Sequence, residues 1–489
     1  MKKYLKLEYI YLPISLILTV IIFYFMSMIY MDGDVYFMIA TGREIIKNGI
    51  PSKNPFTFIN DLDIIIQQWP YAIILSLFYD NLGYVGIYIC SILQYFVLFF
   101  SALYYSKINK SDIRISCMGV PFILLLCSAF LSARPIMLTM IILLWENIFV
   151  EKYLQSKRKR FLVMLVFLSI IMINMHAALW FFLFIFLLPY IVPPIKNPFI
   201  RFKDVSGRDR LRILKIVPLM VFAAFINPYG LNSILYISNS FNNMLKNAGI
   251  DELRPLSTKN IYLYIIIVLC ISLYIYTRNK AQRSEAIYLL CGTLLMSLGY
   301  LRNIIYFFYA VIIFLLTLED YNIYDKMLYY IRKSFKYTVH LMYIFFLVTS
   351  VILGSKMYKA KCFNPVTHDS DFTCYNIVEY LDENASKSDK IFNIFNLGGY
   401  LEFNGYRCFI DQRPELFFKS INHKEDIFQT YIDLEKYENF DEYDKFVRKY
   451  DFKYFITADW EKIDFYLNNN STYTKLIPGK YWNLYEKIE

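Results

Sequence analysis

The chain has 489 residues, 57% of them hydrophobic and 19% aromatic, with a mean hydropathy of +0.37. One soluble core does not bury that much apolar side chain, so the class is an α-helical polytopic membrane protein. The formal charge of +10 is unevenly held: residues 356–489 carry 18 Lys and Arg against 23 Asp and Glu, net −5, leaving +15 on the rest. The basic balance is therefore a topology signal and does not point to nucleic acid.

Apolar runs long enough to cross about 30 Å of hydrocarbon cover 8–30, 84–105, 115–131, 136–150, 261–277, 286–301, 303–318 and 338–357. Three others are short or interrupted. Residues 161–173 and 177–192 are parted only by Asn174-Met175-His176, and 213–226 stops at Asn227-Pro228-Tyr229-Gly230. Together they predict about 11 transmembrane helices. The basic residues at 1–6 precede a long apolar run with no small-residue cleavage site behind it, which reads as an uncleaved first span.

Lys157-Arg158-Lys159-Arg160 and the basic run 201–215 fall in loops on the same side as the N-terminus. The positive-inside rule puts that side in the cytoplasm. An odd number of crossings then carries the end of the chain outside. The expected organisation is a transmembrane domain over 1–357, with a first outer loop at 31–83, and an extracytoplasmic domain over 358–489.

In the outer loop, 35–47 and 68–79 have helical apolar spacing. They are expected to lie along the membrane surface, where Trp69, Tyr71 and Tyr79 suit the interface. The tail reads as a small α/β domain, with strand-like runs at 390–395, 406–410 and 453–456 and a helical stretch at 427–450. Gly398-Gly399 lacks the spacing of a dinucleotide fingerprint and reads as a turn. Asp411-Gln412-Arg413 is placed at a strand end to touch a ligand, and the preferred alternative is a salt-bridged strand end. Cys90, Cys117, Cys127, Cys270 and Cys291 lie in spans as small apolar fillers. Outside, a Cys362–Cys374 disulfide would close a short loop and leave Cys408 over, although spacing does not fix the pairing.

Polar residues gather at the outer ends of the spans. Asp32 and Asp34 follow the first one, Arg134-Pro135 separates two more, Asn174 and His176 interrupt a pair, Glu252 and Arg254 follow Gly230, and Arg302-Asn303 separates the next. Taken singly these are a solvated cap, snorkelling arginines and a hydrogen-bonded structural histidine. Clustered at one membrane face, they bound a polar cavity. Glu146, near the cytoplasmic end of its span, reads as snorkelling.

Such a set suits glycosyl transfer from a lipid-phosphate donor. A carboxylate takes the acceptor hydroxyl's proton, and arginine offers a planar, permanently charged fork to the leaving phosphate. A lipid transporter would instead spread ionisable groups through the middle of the spans and on both faces, and the spans hold few at mid-depth. A third reading is a non-catalytic surface-polysaccharide assembly protein, whose tail holds a partner.

Asp32-Gly33-Asp34, Thr41-Gly42-Arg43-Glu44-Ile45-Ile46-Lys47-Asn48-Gly49-Ile50-Pro51 and Asn54-Pro55-Phe56-Thr57 resemble the start of bacterial GT-C class polytopic glycosyltransferases. These are relatives of the protein mannosyltransferase and ArnT-like families. Arg134-Pro135, Asn174-Met175-His176, Asn227-Pro228-Tyr229-Gly230, Arg302-Asn303 and the tail from Gly398-Gly399-Tyr400 to Asp411-Gln412-Arg413 resemble later landmarks of one subgroup, in the same order. The resemblance implies a GT-C-like membrane fold and an inverting glycosyltransferase of the cell membrane. It implies a polyprenyl-phosphate-sugar donor and a glycan, lipid or protein acceptor on the outer face.

The resemblance puts the catalytic acid in the first outer loop, at Asp34 or Asp32. Asp34 is preferred because it leads into the helical stretch, near an N-terminus that favours an anion. The substrate-binding candidates are Arg134, Asn174, His176, Glu252, Arg254, Arg302 and Gln68. The subgroup often has His-Glu-Trp where this chain has Gln67-Gln68-Trp69, which puts a metal or second acid/base role there in doubt. No cofactor motif is legible, although Mg²⁺ or Mn²⁺ bridging Asp32 or Asp34 to the donor phosphate is compatible with carboxylate oxygen.

Overall fold

The computed structural model describes residues 31–111, 133–194, 202–203, 205–244, 255–277, 282–317 and 369–488, together with Pro13, Ile17 and Pro121. The expected spans at 8–30, 115–131 and 338–357, and Cys362 of the expected disulfide, lie wholly or almost wholly outside the described residues. Two compact units divide the chain. One draws on Tyr88–Gly230 and Asn247–Lys359, the other on Ile29–Ile87, Leu231–Lys246 and Ala360–Glu489.

The first unit is helical. Its packed helices are Ile136–Ser156, Arg160–Met175, Phe182–Ile191, Ser284–Gly299 and Ile304–Thr317. Aromatic side chains fill the seams: Phe182 meets Tyr306 at 4.3 Å between ring centroids, and the Tyr309 hydroxyl donates to the Met140 carbonyl at 2.6 Å. Two expected spans are broken. The 177–192 stretch opens with a 3-10 turn, Ala177–Leu179, and 213–226 divides between Gly207–Leu214 and Val217–Ala223. Ser169 ties the two stretches together, since its hydroxyl donates to the Met220 carbonyl within Val217–Ala223 at 2.7 Å and accepts from the Trp180 indole at 2.7 Å.

Among the described residues, Trp69–Asn109 is the one helix long and apolar enough to cross a membrane. Several shorter apolar helices accompany it, including Arg160–Met175, Ser284–Gly299 and Leu301–Thr317. Trp69–Asn109 is interrupted at Gly83, whose φ of 58° and ψ of −142° are non-helical. That break separates the expected surface helix at 68–79 from the expected span at 84–105. A two-residue parallel pair, β1 (Phe202–Lys203) with β2 (Gln282–Arg283), completes the first unit. Next to it, the half-buried Arg283 pairs with Glu151 and Glu285 and donates to the Asn109 side chain at 2.6 Å. Glu146 does not snorkel. It is 1% exposed, and neither carboxylate oxygen has a hydrogen-bond partner among the described residues.

The second unit joins residues 29–87 and 231–246 to the tail. Its sheet runs in the order β3 (Ile391–Asn393), β4 (Tyr454–Thr457), β6 (Asn483–Lys487), β5 (Tyr473–Ile477), with β3 parallel to β4 and the other pairs antiparallel. Phe392, paired with Phe455 across β3 and β4, anchors an aromatic core with Phe409, Phe446 and Phe452. The expected strand at 406–410 is instead a loop with a single bridge, Cys408 to Thr57, in which the Cys408 N–H donates to the Phe56 carbonyl at 2.9 Å. The helical stretch at 427–450 is broken into Ile427–Asp433, a 3-10 turn and Phe440–Tyr450.

Candidate functional site

The acidic pair opens a helix. Asp32 is the N-cap of Gly33–Asn48: its backbone is extended, and its Oδ1 accepts the Val35 N–H at 3.1 Å. This is what an Asp before an apolar-periodic run does, because the first N–H groups of a helix lack intrahelical partners. Asp34 lies in the first turn, half-buried, where the helix dipole favours its negative charge. The cap itself is 2% exposed.

Three close backbone approaches set this helix in place, and each uses a glycine. A Cβ on Gly42 would strike the Ala72 carbonyl and Ser76. One on Gly33 would strike the Gln412 side chain, and one on Gly399 would strike the Gly33 carbonyl. Gly398-Gly399 is therefore neither a turn nor a phosphate cradle. It starts the helix Gly398–Phe403, which packs against Gly33–Asn48. Tyr36 meets the rings of Tyr400 and Phe403 at 5.0 and 5.2 Å, and Arg43 donates to Asp80 and to the Phe403 carbonyl.

Beneath that pair of helices, Arg413 donates to both oxygens of Glu402 at 2.8 and 2.9 Å and to Asp411 at 2.7 and 3.0 Å. Its guanidinium also faces the Phe37 ring at 4.6 Å and the Phe56 ring at 5.3 Å. Burial raises the Glu402 carboxyl well above the usual range, against the pull of Arg413. Burial alone would lower the Arg413 guanidinium, but Asp411 and Glu402 reverse that and raise it. The ion pair expected of Asp411 and Arg413 is present, at a loop rather than a strand end.

Glu402, Cys408 and Asp411 place their ligand atoms within 4.8 Å of one another. They do not fit a divalent ion. Arg413 already occupies the carboxylates, and the Cys408 thiol, raised by burial, sits against Glu402 at 3.4 Å. Mg²⁺ and Mn²⁺ call for an open set of hard oxygen ligands.

Gln68 lies just before Trp69–Asn109, half-buried, and its carbonyl accepts the Ala72 N–H at 2.9 Å. Its neighbour Gln67 shares the Tyr236 hydroxyl with Glu415. Burial raises the Glu415 carboxyl. Glu402 and Glu415 are residues of this unit that sequence reasoning did not single out.

In the helical unit, three of the expected residues come together. His176 lies between Arg160–Met175 and Ala177–Leu179, outside either helix, with its Nδ1 2.7 Å from the Thr139 hydroxyl. Burial first, then Arg302 and Arg134, push its imidazole down to about 3, against the Pro135 carbonyl. Arg302 is exposed and Arg134 half-buried. Asn174 ties the end of its helix to the next break, donating to the Ile170 and Ile226 carbonyls at 2.8 Å each. Glu252 and Arg254 lie outside the described residues.

No protein-family model matches the sequence, and no curated protein matches it. Solved structures do. The apo oligosaccharyltransferase of Archaeoglobus fulgidus is 11% identical at a TM-score of 0.58, over 92% of this chain and 70% of that one. The oligosaccharyltransferase AglB of the same organism, solved with an inhibitory peptide and a dolichol-phosphate, is 11% identical at a TM-score of 0.59, over 92% and 69%. At that identity the likeness is one of fold. The chain shares the overall fold of these oligosaccharyltransferase structures, with a helical core and a small sheet.

Proposed function

We propose that the protein is a membrane glycosyltransferase that moves a sugar from a polyprenyl-phosphate-linked donor to a glycan, lipid or protein acceptor at the outer face of the cell membrane. The observation that carries this reading is the fold shared with AglB, whose complex holds a dolichol-phosphate, in a chain whose own outer-loop helix opens on two acids. The acceptor hydroxyl oxygen attacks the anomeric carbon, the bond from that carbon to the phosphate oxygen breaks, and the phosphate leaves with the electron pair. Asp34 takes the hydroxyl's proton, a contribution of about 10² to 10⁴ in rate. Asp32 holds the turn that presents it.

Arg134 and Arg302 supply positive charge to the leaving phosphate. His176, kept neutral beside them, can donate or accept a hydrogen bond to sugar or phosphate without competing for the negative charge. Asn174, Gln68, Glu252 and Arg254 complete the proposed substrate set. Mg²⁺ or Mn²⁺, when bound, would be held by Asp34 or Asp32 and would add charge at the donor phosphate. The test is to compare lipid-linked sugars and surface polymer in cells with and without the protein. An accumulating donor beside a missing sugar supports transfer, and unchanged pools of both contradict it.

A further inference from the structure

The tail segment Asp411-Gln412-Arg413 sits directly beneath the acid-bearing turn. The Gln412 side chain is fixed at both ends, its Oε1 accepting the Gly399 N–H at 2.9 Å and its Nε2 donating to the Asn396 carbonyl. Held there, its face lies where a Cβ of Gly33 would be, so Gly33 rests on it. One turn further along the same helix, Phe37 rests on the Arg413 guanidinium at 4.6 Å. Arg413 is fixed in turn by Glu402 and Asp411, whose side chains are fully buried. The residue between Asp32 and Asp34 and the residue one turn beyond it therefore both take their position from adjacent residues of the tail.

We infer that Gln412 and Arg413 are positioning residues for the Asp32-Gly33-Asp34 turn. The C-terminal domain then sets the height and direction of the acid rather than serving as a separate binding module. This rests on the transferase reading above. Gln412 acts through Gly33 and Arg413 through Phe37, and neither needs to touch substrate. A displacement of about 1 Å at a reacting group costs on the order of 10² in rate, so the effect belongs in kcat and not in donor KM.

The experiment uses the full-length protein in native membranes, assayed for turnover of a panel of undecaprenyl-phosphate hexoses. Gln412→Ala is expected to lower kcat by about 10- to 100-fold, with donor KM within about twofold and an unchanged pH profile. Gly33→Ala is expected to lose activity through the clash with Gln412. Adding Gln412→Ala to Gly33→Ala is expected to restore activity above that of Gly33→Ala alone, because the side chain that Cβ meets is gone. A fold defect would not be relieved by a second truncation. A Gln412→Ala enzyme with wild-type kcat, or a double variant no better than the product of the two singles, overturns the positioning role. If Asp34→Asn and Asp32→Asn are both silent, or the wild type turns over no member of the panel, the transferase reading fails instead.

Discussion

Arg413 holds Glu402 through both carboxylate oxygens, at 2.8 and 2.9 Å, with the glutamate side chain wholly buried and the arginine 11% exposed. The same guanidinium carries Asp411 and the rings of Phe37 and Phe56. One cation thus links two acids of the tail to two aromatic residues some 350 positions earlier in the chain.

Arg413→Ala leaves both acids buried without their counter-charge. Removing one partner of a buried ion pair costs about 3–5 kcal/mol, so the variant is expected to unfold at a clearly lower temperature than wild type. Glu402→Gln keeps the shape and leaves Arg413 paired with Asp411, and its loss is expected to be much smaller. Thermal unfolding of the detergent-solubilised full-length proteins separates the two.

The raised carboxyl of Glu402 gives stability a pH dependence. Its folded pKa lies above the ordinary 4.5, so the folded state holds its proton more tightly than the unfolded state does. Its contribution is least unfavourable below pH 4.5 and worsens as the pH rises from there towards the folded pKa. Urea titrations at several pH values should show that slope in the wild type and a flatter one in Glu402→Gln.

Gly399→Ala tests how much of the fold depended on distant partners. Its Cβ would meet the Gly33 carbonyl and Gln412, and overpacking of this kind costs roughly 1–3 kcal/mol. Circular dichroism melts of the variant check the loss.

The local features were legible from local signals. Helical spacing located Gly33–Asn48, whereas Asp32, read as a solvated cap after the preceding span, is the buried N-cap of this helix. The apolar run around Lys453–Ile456 located β4. What failed was non-local. Residues 406–410 look like a strand but have one bridging partner, Thr57, some 350 positions earlier in the chain. The reason for Gly399 is the backbone of Gly33, which no spacing within the tail reveals, while Gly398 lies against the Ile410 carbonyl and Asp411. Strands β5 and β6 carry no periodic signal, since the run Tyr473–Ile477 does not alternate apolar and polar residues. Glu146 was assigned to solvent by its position in a span, whereas the surrounding helices enclose it.

His176 is expected to stay neutral across the physiological range. With its pKa pushed down to about 3, its folded state resists protonation, so stability from this group is full above about pH 6.5 and is lost as the pH falls towards 3. The turnover profile should therefore show no limb near pH 6.5 that disappears in His176→Gln. Thr139→Val removes the hydroxyl 2.7 Å from Nδ1, and an unsatisfied buried group costs about 1–3 kcal/mol, readable as a lower unfolding temperature.

Arg302→Ala is expected to reduce turnover by about 10² to 10³, the usual cost of losing a group that stabilises developing charge. Arg302→Lys should recover part of it, since the charge remains and the planar fork does not. Initial rates at saturating donor measure both.

The most direct test replaces the acids with their amides. Asn caps a helix as well as Asp does, so Asp32→Asn keeps the turn, and Asp34→Asn keeps its volume while losing the base. Donor turnover by membranes of each variant is expected to fall by about 10² to 10⁴ for Asp34→Asn and far less for Asp32→Asn. Wild-type turnover in both variants would contradict the assignment of this turn as the site of transfer.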